Sequence, residues 1–262
     1  MERRSPVVAG KDGSHGDYAA TIPITVIAEM LGVPIENLAG FHYLTDAERF
    51  RFRNDLKMII AARRLEPRDD LITALVKAEQ DGDRLSGEEV LTMAYLLLIA
   101  GHVTTVNLIG NGTLALLRHP DQLDMLRRNP ALIESAVEEL LPFDGPVELS
   151  SRFFAATDIE LSGTLIPRGA QVHVIIASAN RDENKFPNPD TLDITRDARA
   201  HLAFTQGIHY CLGAPLARME GRIALLTLLQ RMPQLELAVA PEQLVWRRDP
   251  ILRGMKEIPV RF

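Results

Sequence analysis

Apolar and polar residues follow one another with helical spacing along most of the chain. In segment 17–33 apolar side chains recur every three or four residues, and Gly32 and Pro34 supply a stop. Segment 41–64 alternates charged and apolar residues, as one or two surface helices do. The same reasoning predicts helices at residues 17–33, 41–64, 71–79, 121–128, 130–141 and 214–231.

A further helix is predicted where the chain loses its charges. Ser86 and Glu89 have the spacing of a capping box, and residues 90–117 contain no Asp, Glu, Lys or Arg. A run of this length and apolarity also fits a membrane span. Because glycine, threonine and asparagine are scattered through its second half, we expect instead the buried central helix of a soluble domain.

The pattern changes after Pro142 to short runs of strand-like residues separated by turn residues. These runs lie at residues 147–154, 159–161, 164–166 and 171–177. A proline-rich segment follows at residues 186–189, and further short runs end the chain. The sequence thus predicts a mainly α protein with small β-sheets. It is expected to consist of a flexible leader at residues 1–16 and one domain at residues 17–262.

Composition and charge narrow the functional classes only slightly. The 262 residues can bury a sizeable core, and 46% hydrophobic with 24% charged residues is ordinary for a soluble protein. A net charge of −6 argues against a nucleic-acid partner. A single cysteine cannot form an internal disulfide, and the N-terminal residues show no apolar signal region, so we expect a cytoplasmic protein without membrane contact.

The only cysteine, Cys211, lies between Gly207 and Gly213 and directly before a predicted helix. A thiolate at a helix N-terminus is stabilised by the helix dipole and by free backbone N–H groups. Glycines let the backbone approach a flat, bulky group closely. These properties suit a cysteine that ligates haem iron, although a lone cysteine taken by itself is more often a small buried hydrophobic residue.

The residues around Cys211 resemble the haem-ligand loop of the cytochrome P-450 family. The family pattern is Phe, Gly, any, Gly, any, His or Arg, any, Cys, any, Gly. The chain departs from it at Thr205 and matches it at Phe204, Gly207, His209, Cys211 and Gly213. The resemblance implies heme b as cofactor and Cys211 as its iron ligand, with Phe204 shielding the sulfur and His209 contacting a propionate.

Residues 100–105 resemble the oxygen-binding groove of the same family, whose pattern is Ala or Gly, Gly, any, Asp or Glu, Thr, Thr or Ser. Ala100 and Gly101 match the small pair, and Thr104 falls on the threonine that helps to deliver protons. Val103 replaces the acidic residue and cannot relay a proton. Taken alone, the threonines can open the helical hydrogen-bond ladder, and the glycine is explained by close packing of another helix.

Two further features gain a meaning from the resemblance. The family has a buried ion pair between a Glu and an Arg three residues later, and a second Arg from further along the chain joins it. In this chain Glu139 matches the Glu, and Pro142 replaces the first Arg. Arg196 is placed to supply the second Arg. A buried Glu139 must then contact Arg196 or bind a proton; without the resemblance, the pair Glu138–Glu139 is typical of a solvated helix face. Arg152 resembles the arginine that binds a haem propionate.

The resemblance covers roughly residues 17–262 and is strongest to bacterial enzymes that oxidise macrolides and other polyketides. It implies a cytochrome P-450 fold lacking its N-terminal part, with the long helix over the haem site. The implied activity is a monooxygenase that inserts one oxygen atom from dioxygen into a small organic substrate of the macrolide or polyketide kind, with electrons from a ferredoxin-type donor. Basic residues near the loop are candidates to face that donor (Arg127, Arg128, Arg218, Arg222).

Two other functions fit parts of the sequence. The shorter chain, Val103 and Pro142 also suit a family-derived helper that activates or stabilises a partner biosynthetic enzyme. A metal or redox-sensor site at Cys211 and His209 is poorer, because two ligands are too few for zinc and no second cysteine is present. The intact cysteine loop favours the monooxygenase.

Overall fold

Helices are the main secondary structure of the chain. The computed structural model describes residues 4–6, 18–38, 46–80 and 85–262. In these ranges the helices are α1 (Tyr18–Leu31), α2 (Asp46–Leu65), α3 (Leu71–Gln80), α4 (Gly87–Arg118), α5 (Pro120–Arg128), α6 (Ile133–Phe143), α7 (Ile176–Ala179) and α8 (Ala214–Arg231). The predicted helices are therefore confirmed to within a turn at each described end.

The strands are short and form three small antiparallel sheets. They are β1 (Arg4–Pro6), β2 (Phe153–Phe154), β3 (Ile159–Leu161), β4 (Thr164–Ile166), β5 (Gln171–Val172), β6 (Glu236–Leu237) and β7 (Pro259–Arg261). Strand β7 pairs with β1 on one side and β6 on the other, β2 pairs with β5, and β3 pairs with β4. The prediction of a mainly α protein with small sheets is confirmed.

Several sequence predictions need correction in the β region. The predicted run 147–154 is a strand only at its end, because the chain there bridges first to the C-terminal segment at Leu252 and then to Ile175. The run 171–177 ends as a strand at Val172, and α7 follows. Within the predicted leader, β1 is not frayed but pairs with β7; the rest of that leader lies outside the described residues.

Helix α4 is the element on which the other helices pack. The predicted capping box starts it, with the Ser86 hydroxyl accepting from the Glu89 N–H and the Glu89 carboxylate accepting from the Ser86 N–H. The helix contacts α1, α2, α3, α5, α6 and α8. It is long and apolar enough to cross a membrane, but residues 105–116 are continuously buried within the protein. The predicted central position is confirmed.

Two glycines bring α8 close to α4. A Cβ atom added at Gly221 would lie 3.1 Å from Leu108, and one added at Gly112 would lie 3.5 Å from Leu225. Because 108 meets 221 and 112 meets 225, the two helices run side by side in the same direction. The preceding turn of α4, at Thr104, is thereby directed towards the N-terminus of α8, where the cysteine loop ends.

A buried ion pair joins α1, α2 and α3. The side chains of Arg63 and Asp70 are both buried and hydrogen-bonded to each other. Arg63 also donates to the Gly32 carbonyl oxygen (2.9 Å), and Asp70 accepts from the Thr73 N–H (2.8 Å). Gly32 has φ +75°, and a Cβ there would lie 2.1 Å from the Asp70 carboxylate, so the contact requires glycine.

Asp70→Asn should lower the free energy of unfolding by about 3–5 kcal/mol, because it leaves the Arg63 charge buried without its counter-charge. The matched control is Glu66→Gln, which removes an exposed acid 4.0 Å from Arg68 and should cost less than about 1 kcal/mol. Urea unfolding of both variants measures the difference. Equal losses would show that the buried pair contributes no more than a surface pair.

Candidate functional site

The cysteine loop, defined here as residues 203–213, is closed by backbone hydrogen bonds between its own residues. The Cys211 N–H donates to the Phe204 carbonyl (3.0 Å), and the Tyr210 N–H donates to the Gly207 carbonyl (3.0 Å). Cys211 is half-buried with a free thiol, and α8 begins directly after Gly213. The predicted position of the thiol at the N-terminus of a helix is confirmed.

Two residues of the cysteine loop have left-handed backbone conformations. Gly207 has φ +76° and Thr205 has φ +59°. Glycine adopts this region freely, whereas a β-branched residue is strained in it. The Thr205 hydroxyl donates to the His209 carbonyl (2.8 Å). This hydrogen bond stabilises the loop and offsets the backbone strain at Thr205. Where the resemblance has glycine, the threonine thus adds backbone strain and a compensating hydrogen bond.

An exposed apolar surface adjoins the thiol. Leu212 is 84% exposed and Ile208 is 98% exposed. Phe153, at the start of β2, is also exposed, and its ring centroid lies 6.5 Å from that of His209. The neighbouring Arg152 is exposed, as is His209.

The residues of this surface fit haem better than a bare metal ion. The described residues contain no group of three or more His, Cys, Asp or Glu that would hold a metal ion. What they present is one soft thiol, exposed apolar side chains, and the guanidinium of Arg152 with the imidazole of His209. A thiolate is a haem-iron ligand, apolar side chains suit the porphyrin faces, and a guanidinium and an imidazole suit the propionates.

The predicted groove residues lie on α4. The Thr104 hydroxyl donates to the Ala100 carbonyl (2.7 Å), and Ala100 is exposed. The predicted opening of the helical ladder is not found, since α4 continues unbroken from Gly87 to Arg118. A Cβ at Gly101 would lie 3.3 Å from Ile27, so this glycine allows α1 to pack closely, as its local alternative predicted.

Glu139 and Arg196 meet as predicted. Glu139 is buried, its Oε1 lies 3.7 Å from Arg196 Nη1, and it accepts from the Asp193 N–H (3.1 Å). Burial raises the pKa of Glu139, and the hydrogen bond from Asp193 and the Arg196 charge oppose that rise only in part. Pro142 lies inside α6 and supplies no charge. The ion pair therefore has two members where the resemblance has three.

Glu138 corrects the interpretation of a solvated helix face. Arg218 of α8 donates from Nε and Nη2 to its carboxylate, and His201 Nε2 lies 3.3 Å from Oε2. Burial opposes ionisation, but the hydrogen bonds from His201 and Arg218 bring the pKa of Glu138 to about 2. Arg218, proposed from sequence to face a redox partner, is thus engaged inside the protein, and Arg222 pairs with Glu134. Sequence reasoning missed this cluster because its members lie up to 80 positions apart.

Glu220 is a second buried acid that sequence reasoning missed. It lies on α8 and is 5% exposed. Neither carboxylate oxygen has a hydrogen-bond partner of normal geometry among the described residues, although the Thr105 hydroxyl is close enough to favour the charged form slightly. Burial raises the pKa of Glu220 to about 7. Helical spacing gives the signal, because Glu220 precedes buried Ala224 and Leu228 by one and two turns.

Comparisons with known proteins agree with this geometry. The cytochrome P-450 family model matches residues 53–250. The chain belongs to the cytochrome P-450 family. It is 48% identical over 256 residues to cytochrome P-450 monooxygenase PikC of Streptomyces venezuelae, covering 92% of this chain and 61% of PikC. It is 43% identical over 260 residues to 6-deoxyerythronolide B hydroxylase of Saccharopolyspora erythraea, covering 94% of this chain and 64% of that relative.

Solved structures give the same result. The bacillaene polyketide synthase cytochrome P-450 PksS of Bacillus subtilis is 40% identical with a TM-score of 0.88, covering 98% of this chain and 68% of that one. The tirandamycin C-bound monooxygenase TamI is 41% identical with a TM-score of 0.85. The chain spans a little over three fifths of the length of the curated relatives. Their names describe monooxygenases and hydroxylases, so the helper alternative has no support.

Thr205→Val and Thr205→Gly separate backbone strain from the hydroxyl contact. Valine keeps the branched shape and the strained φ but loses the hydrogen bond, whereas glycine loses both. The Gly variant should therefore be more stable than the Val variant. Its free energy of unfolding should be about 1–2 kcal/mol higher, which is the cost of a left-handed non-glycine residue. Parallel urea titrations measure this. Equal stabilities would show that the left-handed backbone costs nothing here.

Glu220 should make the protein less stable as pH rises from about 4.5 to 7. Its pKa is about 7 in the folded protein against an ordinary 4.5, so in this interval the native state binds more protons than the unfolded state and stability falls. At ~1.4 kcal/mol per pKa unit, the stability advantage of Glu220→Gln over the wild type should grow by about 3 kcal/mol across the interval. Urea unfolding at a series of pH values measures it, and parallel curves would contradict the raised pKa.

Proposed function

We propose that this chain is a haem-thiolate monooxygenase that inserts one oxygen atom from dioxygen into a small organic molecule. The observation that carries the proposal is the free Cys211 thiol at the start of α8, beside an exposed apolar surface, in a member of the cytochrome P-450 family. Bound heme b would supply the iron that activates dioxygen, and a thiolate ligand favours O–O cleavage.

The cysteine loop supplies the groups that hold the cofactor. Cys211 is the iron ligand, and the buried ring of Phe204 shields its sulfur. A Cβ at Gly213 would lie 3.9 Å from the Cys211 Sγ, so this glycine keeps the thiol side of the loop free of a side chain. Gly207 provides the left-handed turn before His209. Arg152 and His209 bind the propionates.

Helix α4 supplies the opposite wall. Ala100 is small and exposed, so the helix leaves room there for dioxygen and substrate, and Gly101 lets α1 pack behind it. The Thr104 hydroxyl donates its hydrogen to the Ala100 carbonyl. Its Oγ1 lone pairs can therefore accept a hydrogen bond from a proton donor. Val103 has no proton to pass on, so proton delivery on this face depends on the Thr104 hydroxyl.

The relatives support a substrate of the macrolide or polyketide kind. PksS is named for polyketide biosynthesis and 6-deoxyerythronolide B hydroxylase for its substrate, and one solved relative is in complex with an acyl carrier protein that bears a fatty acid. The electron donor is of the ferredoxin type. We place this activity in the cytoplasm, within one domain at residues 17–262.

The reduced, CO-bound absorption spectrum of the haem-reconstituted protein tests the proposal. The wild type should show a thiolate-type Soret band. That band would report Cys211, because Cys211 is the only cysteine in the chain. Cys211→Ala should lose that band. It should keep the helical circular dichroism of the wild type, because alanine is smaller than cysteine and the Cys211 side chain is only half-buried. A wild type without the band, or a variant that retains it, would overturn the assignment.

A further inference from the structure

Glu138 connects the two ends of the cysteine loop to α6. Arg218, which follows the loop on α8, donates two hydrogen bonds to the Glu138 carboxylate. His201, which precedes the loop, lies with Nε2 3.3 Å from Glu138 Oε2, the oxygen that also accepts from Arg218 Nη2. One partly buried acid thus holds the chain before the loop and the chain after it.

The tautomer of His201 follows from its neighbours. The Ala203 N–H donates to His201 Nδ1 (3.1 Å), so Nδ1 carries no proton. A neutral imidazole then carries its proton on Nε2, where it donates to Glu138. The His201 side chain is fully buried, and its ring centroid lies 5.8 Å from that of Phe204. His201 therefore links Glu138 to the Phe204 ring, which is proposed to shield the thiolate.

Arg218 makes the corresponding contacts from the other end. Its guanidinium carbon lies 4.5 Å from the centroid of the Phe204 ring, and its Nη1 donates to the Tyr210 hydroxyl (3.2 Å). Phe204 and Tyr210 flank the backbone hydrogen bond that closes the loop at Cys211. A planar guanidinium with a fixed fork of donors can satisfy the carboxylate, the ring and the hydroxyl together, which an ammonium group cannot.

We propose that Glu138, Arg218 and His201 are positioning residues for Cys211: they hold the cysteine loop in the one conformation in which its thiolate binds iron. The proposal rests on the haem-thiolate function proposed above. It goes beyond it, because the family pattern that relates Glu139 to Arg196 assigns nothing to these three residues.

The chain offers a matched control on the same two helices. Glu134 of α6 pairs with Arg222 of α8 at 2.9 Å, one turn away from Glu138 and Arg218. The Glu134 side chain is 75% exposed, whereas that of Glu138 is 14% exposed. In the described part of the chain neither Glu134 nor Arg222 hydrogen-bonds to the cysteine loop. Glu134→Gln therefore removes an α6–α8 ion pair and leaves the loop contacts in place.

The test compares Glu138→Gln, Arg218→Lys and Glu134→Gln with the wild type. The first readout is the rate at which iodoacetamide alkylates the haem-free protein, which reports one thiol because the chain has one cysteine. The second is the ratio of thiolate-type to thiol-type Soret bands in the reduced, CO-bound protein. Circular dichroism at the assay temperature restricts the comparison to folded variants. Arg218→Lys keeps the charge, so it tests whether the fork itself is needed.

Glu138→Gln and Arg218→Lys should both be alkylated about tenfold faster than the wild type, equivalent to about 1.4 kcal/mol of lost restraint. Both should shift the Soret ratio towards the thiol type, while Glu134→Gln matches the wild type in both readouts. Variants at 138 and 218 that behave like Glu134→Gln would overturn the proposal. If the wild type takes up no haem, the proposed function fails, and the positioning role then stands or falls on the alkylation rates alone.

Discussion

Close contact between α4 and α8 is the constraint on which the rest of the site depends. Gly112 and Gly221 remove the side chains that would otherwise hold the helices apart, and Leu108 and Leu225 fill the space they leave. The same register directs the Thr104 turn towards the start of α8. The turn of α4 at Thr104 and the thiol-bearing loop are thus positioned through the packing of buried leucines.

Three acids, of which Glu139 and Glu220 are buried and Glu138 is partly buried, show how partners, and not burial alone, decide the charge of a group. Glu138 is partly buried beside a guanidinium and an imidazole and stays ionised to low pH. Glu139 faces one more distant arginine and a backbone N–H, and its pKa rises. Glu220 has only the nearby Thr105 hydroxyl to offset burial, and its pKa rises furthest towards neutrality. Of these three acids, the one that stays charged therefore lies behind the cysteine loop, and Glu220 on α8 favours the neutral form up to about pH 7.

Local signals were sufficient for the helices and the cysteine loop. A capping box, an uncharged run and a glycine-bounded cysteine each lie within one continuous stretch, so their meaning does not depend on remote residues. The Glu138–Arg218 contact and the bridges of Val147 and Leu149 join distant parts of the chain, and no spacing along the sequence encodes them. Thr205 is intermediate: the resemblance marked it as a departure, but only backbone geometry showed that it occupies the left-handed region.

The exposed apolar surface beside Cys211 also bears on the fate of the haem-free chain. Leu212 and Ile208 present large apolar side chains to water, and a patch of this kind favours self-association. A cofactor that covers it would act as a folding partner, because a ligand that binds only the native state raises stability with its free concentration. The haem supply of the producing cell would then set how much of the polypeptide escapes aggregation and proteolysis.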